Sequence, residues 1–143
     1  MQVFTPYPQP FACADCLDPH RLNKQIIECK QILAAIRGES QAWKNHPVTK
    51  QYREHTEYLE AYTKCLEYYK AGKFDLASQY DKKAIANKPD FLTEEFCDQH
   101  KRRLYTKNNN FYAYFYKYGE SQENWYYVDG KLLKYINGKI VNK

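Results

Sequence analysis

The chain has 143 residues, and its 22 Lys and Arg against 17 Asp and Glu give a formal net charge of +5. A chain of this length can bury the core of one compact domain without disulfides. The mean hydropathy of −0.86 and the lack of any apolar run near the roughly 18 residues of a spanning helix argue against a membrane protein. Five cysteines, an odd number, and an N-terminus unlike a signal peptide favour reduced thiols and a cytoplasmic location.

The positive charge is concentrated near the end of the chain. Residues 98–143 contain nine Lys and Arg but only four Asp and Glu, whereas residues 1–97 are balanced. A concentrated basic surface favours a polyanionic partner, and nucleic acid is the first candidate. The alternative is an ordinary solvated face.

The clearest predicted helix follows an extended, proline-containing lead-in over residues 1–10. Asp18 is a good N-cap, Pro19 suits the first helical position, and Gly38 can end the helix. Apolar side chains recur between them at helical spacing: Leu22, Ile26, Cys29, Leu33 and Ile36. Beside this stripe runs a strip of polar residues, where a cleft between core and solvent can open: Arg21, Lys24, Gln25 and Glu28.

Three more helices are predicted further along the chain. Residues 47–72 show apolar and tyrosine side chains at core spacing, which predicts one long helix that places His55 in its core stripe. Residues 74–86 favour a shorter helix. Thr93 caps another that runs toward Lys107 and has acidic residues in its first turn, as the helix dipole prefers.

The last part of the chain changes its periodicity. Asp129-Gly130 and Asn137-Gly138 are strong hairpin-turn signals between short alternating segments. We therefore predict an all-α, compact, single-domain helical bundle over residues 1–143, with a small C-terminal β-hairpin or meander. The helical region spans residues 1–120 and the hairpin tail residues 121–143.

Other patterns carry weaker signals. Cys13 and Cys16 form half of a zinc ribbon at most, with His20 as a possible third ligand, so small buried thiols are favoured. Residues 69–89 look like one tetratricopeptide repeat, which favours a local helical hairpin over a repeat array. No metal and no cofactor is expected.

Glu28 is the carboxylate that the sequence singles out. It lies in the middle of a helix, next to the apolar stripe, where burial and neighbouring charges can shift a pKa. The competing interpretation is a surface glutamate that pairs with Lys24.

Three segments give the chain a family resemblance. Residues 17–33, with Leu17-Asp18-Pro19-His20-Arg21-Leu22-Asn23-Lys24-Gln25 and Glu28, resemble the opening helix of the pyrimidine-dimer DNA glycosylases of the phage endonuclease V type. Residues 43–47 and 100–107 look like two later signatures of the bacterial and phage branch, and residues 111–119 are similar to an aromatic C-terminal region. The resemblance spans about residues 1–120.

The resemblance implies a compact helical repair enzyme whose N-terminal α-amine attacks the deoxyribose C1′. An imine then forms, and elimination nicks the strand. Glu28 matches the family's glutamate. Because the bulky Gln2 follows Met1 and disfavours removal of Met1, the catalytic terminus lies at Met1 and Gln2: either the Met1 amine is the nucleophile or the lyase step is lost.

The same resemblance implies contacts with double-stranded DNA that holds a flipped or damaged nucleotide. Arg21 and Lys24 are expected to hold phosphates, and Gln25 to bond the sugar or base. Further DNA contacts are expected from five residues of the two later signatures: His46, His100, Arg102, Arg103 and Lys107.

The leading hypothesis is thus a monomeric DNA glycosylase with lyase activity, located in the cytoplasm, at the nucleoid or, if phage-encoded, in the host. One alternative is a glycosylase for another modified base. The other is a non-catalytic helical module that binds nucleic acid or protein.

Overall fold

A computed structural model describes residues 1–142; Lys143, the last residue of the expected hairpin tail, lies outside the described residues. Helices form most of the structure, and a small antiparallel sheet follows them, which confirms the predicted fold class. The elements in chain order are α1 Pro10–Cys16, α2 Pro19–Ile36, α3 Pro47–Tyr52, α4 Thr56–Lys70, α5 Phe74–Ala86, α6 Glu94–Lys107, a 3-10 helix Ala113–Tyr118, β1 Asn124–Val128, β2 Lys131–Ile136 and β3 Lys139–Ile140.

The predicted capping residues mark the starts of the two helices that matter most for the site. The Asp18 carboxylate accepts a hydrogen bond from the Arg21 amide at the start of α2. The Thr93 hydroxyl does the same for the Phe96 amide at the start of α6. These contacts satisfy amides that have no partner within the helix.

The long helix predicted over residues 47–72 is wrong, because the chain leaves helical geometry at His55 and forms α3 and α4 instead. Both helices pack against α2, but their other neighbours differ: α3 packs against β1, whereas α4 packs against α1 and α5. One straight helix cannot follow both sets. The break also brings the rings of Tyr52 and His55 against Phe91.

The tail forms the predicted meander in the order β1-β2-β3. Both turns have positive φ at their two central residues: Asp129, Gly130, Asn137 and Gly138. This backbone geometry matches the twist of the strands that the turns join, which is why Asp-Gly and Asn-Gly are such reliable hairpin signals.

Residues 1–9 form no helix or strand, yet most of them are buried. Side chains from distant elements therefore bond their backbone. Tyr126 donates to the Met1 carbonyl, Tyr62 to the Phe4 carbonyl and Tyr58 to the Pro8 carbonyl, at 2.9, 2.5 and 2.7 Å. The expected lead-in is thus a core element that is fixed in place by tyrosine hydroxyls.

Within residues 1–142, no helix combines the length and the apolar character that a membrane crossing needs.

The Tyr62 hydroxyl provides a test of the anchoring of residues 1–9 by tyrosine side chains. Replacing Tyr62 with Phe leaves the buried Phe4 carbonyl without its partner, which should lower the free energy of unfolding by about 1–3 kcal/mol in urea titrations. The control is Tyr116→Phe, because Tyr116 is 71% exposed; it should change stability by less than about 0.5 kcal/mol. Equal stability of the two variants would contradict the anchoring role.

Candidate active site

The N-terminus lies in a small cavity of about 90 Å³. Three parts of the chain meet there: the N-terminal segment, one face of α2 and one face of α6. The lining residues are Met1, Gln2, Phe4, Arg21, Lys24, Glu28, Arg103, Lys107 and Asn124.

Helix α2 contributes three of these side chains because residues three, four and seven apart share one helix face. Glu28 is only 16% exposed, and its carboxylate lies 3.8 Å from the Lys24 ammonium. The Arg21 guanidinium lies over the Phe4 ring, 5.4 Å from its centroid. Three of the four residues of the polar strip predicted beside the apolar stripe, all but Gln25, therefore border a cleft.

Helix α6 contributes Arg103 and Lys107, which lie one turn apart. The Arg103 guanidinium is nearly buried and donates to the Asn124 side chain at 3.1 Å and to the Ser121 carbonyl at 3.0 Å. Burial and neighbouring cations lower the pKa of Lys107. An anion bound in the cavity in addition to the Glu28 carboxylate would offset this excess of positive charge.

The Met1 α-amine is the unusual group in the cavity. Burial lowers its pKa below that of an ordinary terminal amine, Glu28 raises it, and the charges of Lys107, Lys24 and Arg103 lower it further. The net direction is downward. A larger fraction of this amine is therefore unprotonated, and able to act as a nucleophile, at neutral pH.

Gln25 lies behind the cavity rather than in it. Its side chain is 2% exposed; its amide nitrogen donates to the Gln2 carbonyl at 2.9 Å and its oxygen accepts from the Phe4 amide at 2.7 Å. Both ends of the Gln25 amide are thus committed to the N-terminal segment. In place of the expected bond to a sugar or base, the Gln25 side chain makes two bonds that hold the backbone of Gln2 and Phe4 in position.

The two histidines expected to contact DNA have different places. His46 caps α3 by accepting from the Val48 amide at 3.0 Å, and burial together with the Met1 amine lowers its pKa to about 4. His100 is fully buried and accepts from the Thr5 amide at 2.7 Å. The structure therefore places His100 in the core, away from the surface that a phosphate contact requires.

Arg102 lies outside the cavity, although Arg103 lines it. Adjacent helical residues point about 100° apart, and the Arg102 guanidinium donates to the Tyr118 carbonyl at 2.8 Å. Phe4 and Asn124 line the cavity but were not among the sequence candidates. No motif marks Asn124, because only its bond to Arg103 brings it to the site.

The aromatic block over residues 111–118 divides into core and surface. Tyr112 is buried, and its hydroxyl donates to the Asp18 carboxylate at 2.5 Å. Tyr114 and Tyr116 are exposed.

The cysteines are free thiols and mostly buried. Cys13 and Cys16 donate to backbone carbonyls, and burial raises the pKa of Cys16 to about 12. Among residues 1–142, no group of three or more His, Cys, Asp or Glu side chains is placed to hold a metal ion.

The first part of the chain supplies the N-terminus, α2 and the Glu28 carboxylate, and this part carries a family signature. Residues 1–68 match the family model described as pyrimidine dimer DNA glycosylase. This match confirms the family resemblance over residues 1–68. The family implies a DNA glycosylase, and hence an enzyme that acts on DNA. The match includes Met1, Arg21, Lys24 and Glu28, whereas Arg103 and Lys107 lie beyond it. No curated protein and no solved structure matches the chain significantly.

The charges around Met1 predict opposite effects on the pKa of its amine. Glu28→Gln should lower this pKa, because it removes the negative charge that favours the ammonium form. Lys107→Met should raise it, because it removes a competing positive charge. An NMR titration of the isotope-labelled, reductively methylated terminus measures both shifts.

Lys82→Met is the matched control for this titration, since Lys82 is exposed on α5 and does not line the cavity. It should leave the pKa of the amine unchanged. Shifts in the same direction for Glu28→Gln and Lys107→Met would contradict the electrostatic account.

Proposed function

We propose that this protein is a DNA glycosylase with lyase activity, which acts on pyrimidine dimers or a related base lesion and uses the Met1 α-amine as its nucleophile. One observation carries the proposal: the half-buried amine shares a small cavity with Glu28 and four cationic side chains. Met1, which bears the amine, and Glu28 both lie in the segment that matches the glycosylase family model, residues 1–68.

The chemistry begins with the unprotonated amine. Its nitrogen forms a bond to C1′ of the deoxyribose, and the bond from C1′ to the base breaks, with its electron pair leaving on the base. Loss of a proton from nitrogen and opening of the sugar ring at O4′ give an imine at C1′. Removal of a proton from C2′ then expels the phosphate at C3′, which nicks the strand.

Glu28 supports these steps in two ways. Its carboxylate stabilises positive charge that develops on the sugar, and it accepts and returns protons during ring opening and elimination. Its position suits both roles. The Glu28 side chain is largely shielded from water, and its negative charge raises the pKa of the Met1 amine.

The cations supply the affinity for DNA. Among the lining residues, four basic side chains and the terminal amine face a single carboxylate, so phosphates are the natural partners. The cavity of about 90 Å³ admits a few water molecules but is far smaller than pockets that enclose a small ligand. We therefore infer that the sugar edge enters the cavity while the base stays outside it.

Covalent trapping provides the decisive experiment. The wild-type protein should form a borohydride-stable adduct with duplex DNA that carries an abasic site. Acetylation of the Met1 amine should abolish the adduct while DNA binding persists, because an amide nitrogen is not nucleophilic. Intact mass measurement identifies the terminal residue of the protein used.

Glu28→Gln separates attack from proton transfer in the same assay. Because the variant keeps the amine, it should still form the adduct with preformed abasic DNA. Base excision and nicking should fall by about 10²–10⁴-fold. Wild-type nicking by both the acetylated protein and Glu28→Gln would overturn the amine mechanism, and tight binding without any adduct would instead favour a non-catalytic DNA-binding module.

The salt dependence of binding tests which cations meet phosphate. Each lost phosphate contact should flatten the slope of log K against log salt by about 0.9, so Lys24→Ala and Lys107→Ala should each reduce it by about one unit. Lys82→Ala, on the exposed side of α5, is the control and should leave the slope unchanged. If all three variants kept the wild-type slope, neither Lys24 nor Lys107 would contact phosphate, and DNA would bind to another surface of the protein.

A further inference from the structure

Trp43 has an unusual backbone and an unusual position. It lies in the connection between α2 and α3, its side chain is 43% exposed, and its φ is +64°. A bulky residue rarely adopts this left-handed conformation, because its Cβ crowds the backbone. Such strained positions are concentrated at functional sites. The other tryptophan, Trp125, is 7% exposed and has no such strain.

A row of ring contacts connects Trp43 to the N-terminus. The Trp43 ring meets the His46 ring edge-on at 5.6 Å between centroids, and the His46 ring meets that of Tyr126 at 5.7 Å. The Tyr126 hydroxyl in turn donates to the Met1 carbonyl at 2.9 Å. Trp43 is thus the exposed end of a row that begins at the residue bearing the amine.

The remaining exposed aromatic side chains belong to other regions. Phe74 lies on α5, and the others, Phe111, Tyr114 and Tyr116, lie in or next to the 3-10 helix. Of the exposed aromatic residues within residues 1–142, Trp43 is therefore the one that the row of contacts through His46 and Tyr126 connects to Met1.

We propose that Trp43 stacks on a DNA base beside the sugar that Met1 attacks, and so holds the duplex open at that step. The inference rests on the proposed function and deepens it. The cavity is too small to enclose a base, so a neighbouring base that loses its stacking partner when the duplex opens at this step needs a surface outside the cavity. A flat, exposed indole offers such a surface without selecting the base by hydrogen bonds.

The test uses duplex DNA that contains a tetrahydrofuran abasic analogue, which has no leaving group at C1′ and cannot form an imine. Stacking on a base should quench the emission of Trp43 when this duplex binds. Trp43→Phe retains only Trp125, so its emission gives the background. Binding is thereby measured independently of the chemistry.

Affinity measurements complete the test. Trp43→Ala should weaken binding to the analogue duplex by about 5- to 150-fold, the range for one lost stacking contact, and should change binding to intact duplex much less. Trp43→Phe keeps a flat ring and should remain near wild type. Phe74→Ala, which removes an aromatic side chain of similar exposure on α5, is the matched control and should bind both duplexes normally.

Stability distinguishes stacking from a structural role. Trp43→Gly relieves the left-handed backbone, so it should unfold at the same or a higher temperature than wild type while losing affinity for the analogue duplex. Unchanged Trp43 emission, or equal affinity of Trp43→Ala and wild type for the analogue, would overturn the inference. Quenched emission on the analogue duplex, together with no borohydride adduct on duplex DNA that carries a natural abasic site, would instead overturn the amine mechanism and leave the DNA contact of Trp43 standing.

Discussion

The structure depends on the burial of a chain segment that has no secondary structure of its own. A buried backbone amide or carbonyl without a partner costs about 1–3 kcal/mol, so residues 1–9 can enter the core only if side chains elsewhere bond them. Tyrosine hydroxyls from α4 and β1, the Gln25 amide and the His100 ring do so. Much of the polar interior of this protein thus serves to hold its N-terminus.

That anchoring also creates the chemistry of the cavity. Burial removes water from the Met1 amine and lowers its pKa, and the basic residues of α2 and α6 act in the same direction. Glu28 opposes them, so the amine lies between a carboxylate and several cations. A free terminus in solvent would keep an ordinary pKa and no fixed position. The hydrogen bonds that stabilise the fold therefore also supply an oriented, partly unprotonated amine.

Local signals were sufficient wherever a residue's role depends on its near neighbours in sequence. Asp18 and Thr93 start the helices that their side chains cap, and the Asp-Gly and Asn-Gly pairs form the predicted turns. The continuous helix over residues 47–72 failed for the opposite reason. Apolar spacing reports which face is buried but not what it packs against, and apart from α2 the partners of α3 and α4 are different elements.

The sequence by itself determined the helical class, the meander, the polar face of α2 and the choice of Glu28 as the carboxylate of interest. Only the tertiary structure decided which polar residues face the cavity. Gln25 and His100 carry side chains suited to DNA, yet both bond residues 2–5 in the core. Arg103 and its neighbour Arg102 look equivalent in sequence, but only Arg103 lines the cavity. The physical reason is that a polar side chain is buried when a distant backbone group needs it as a partner, and no local pattern records that need.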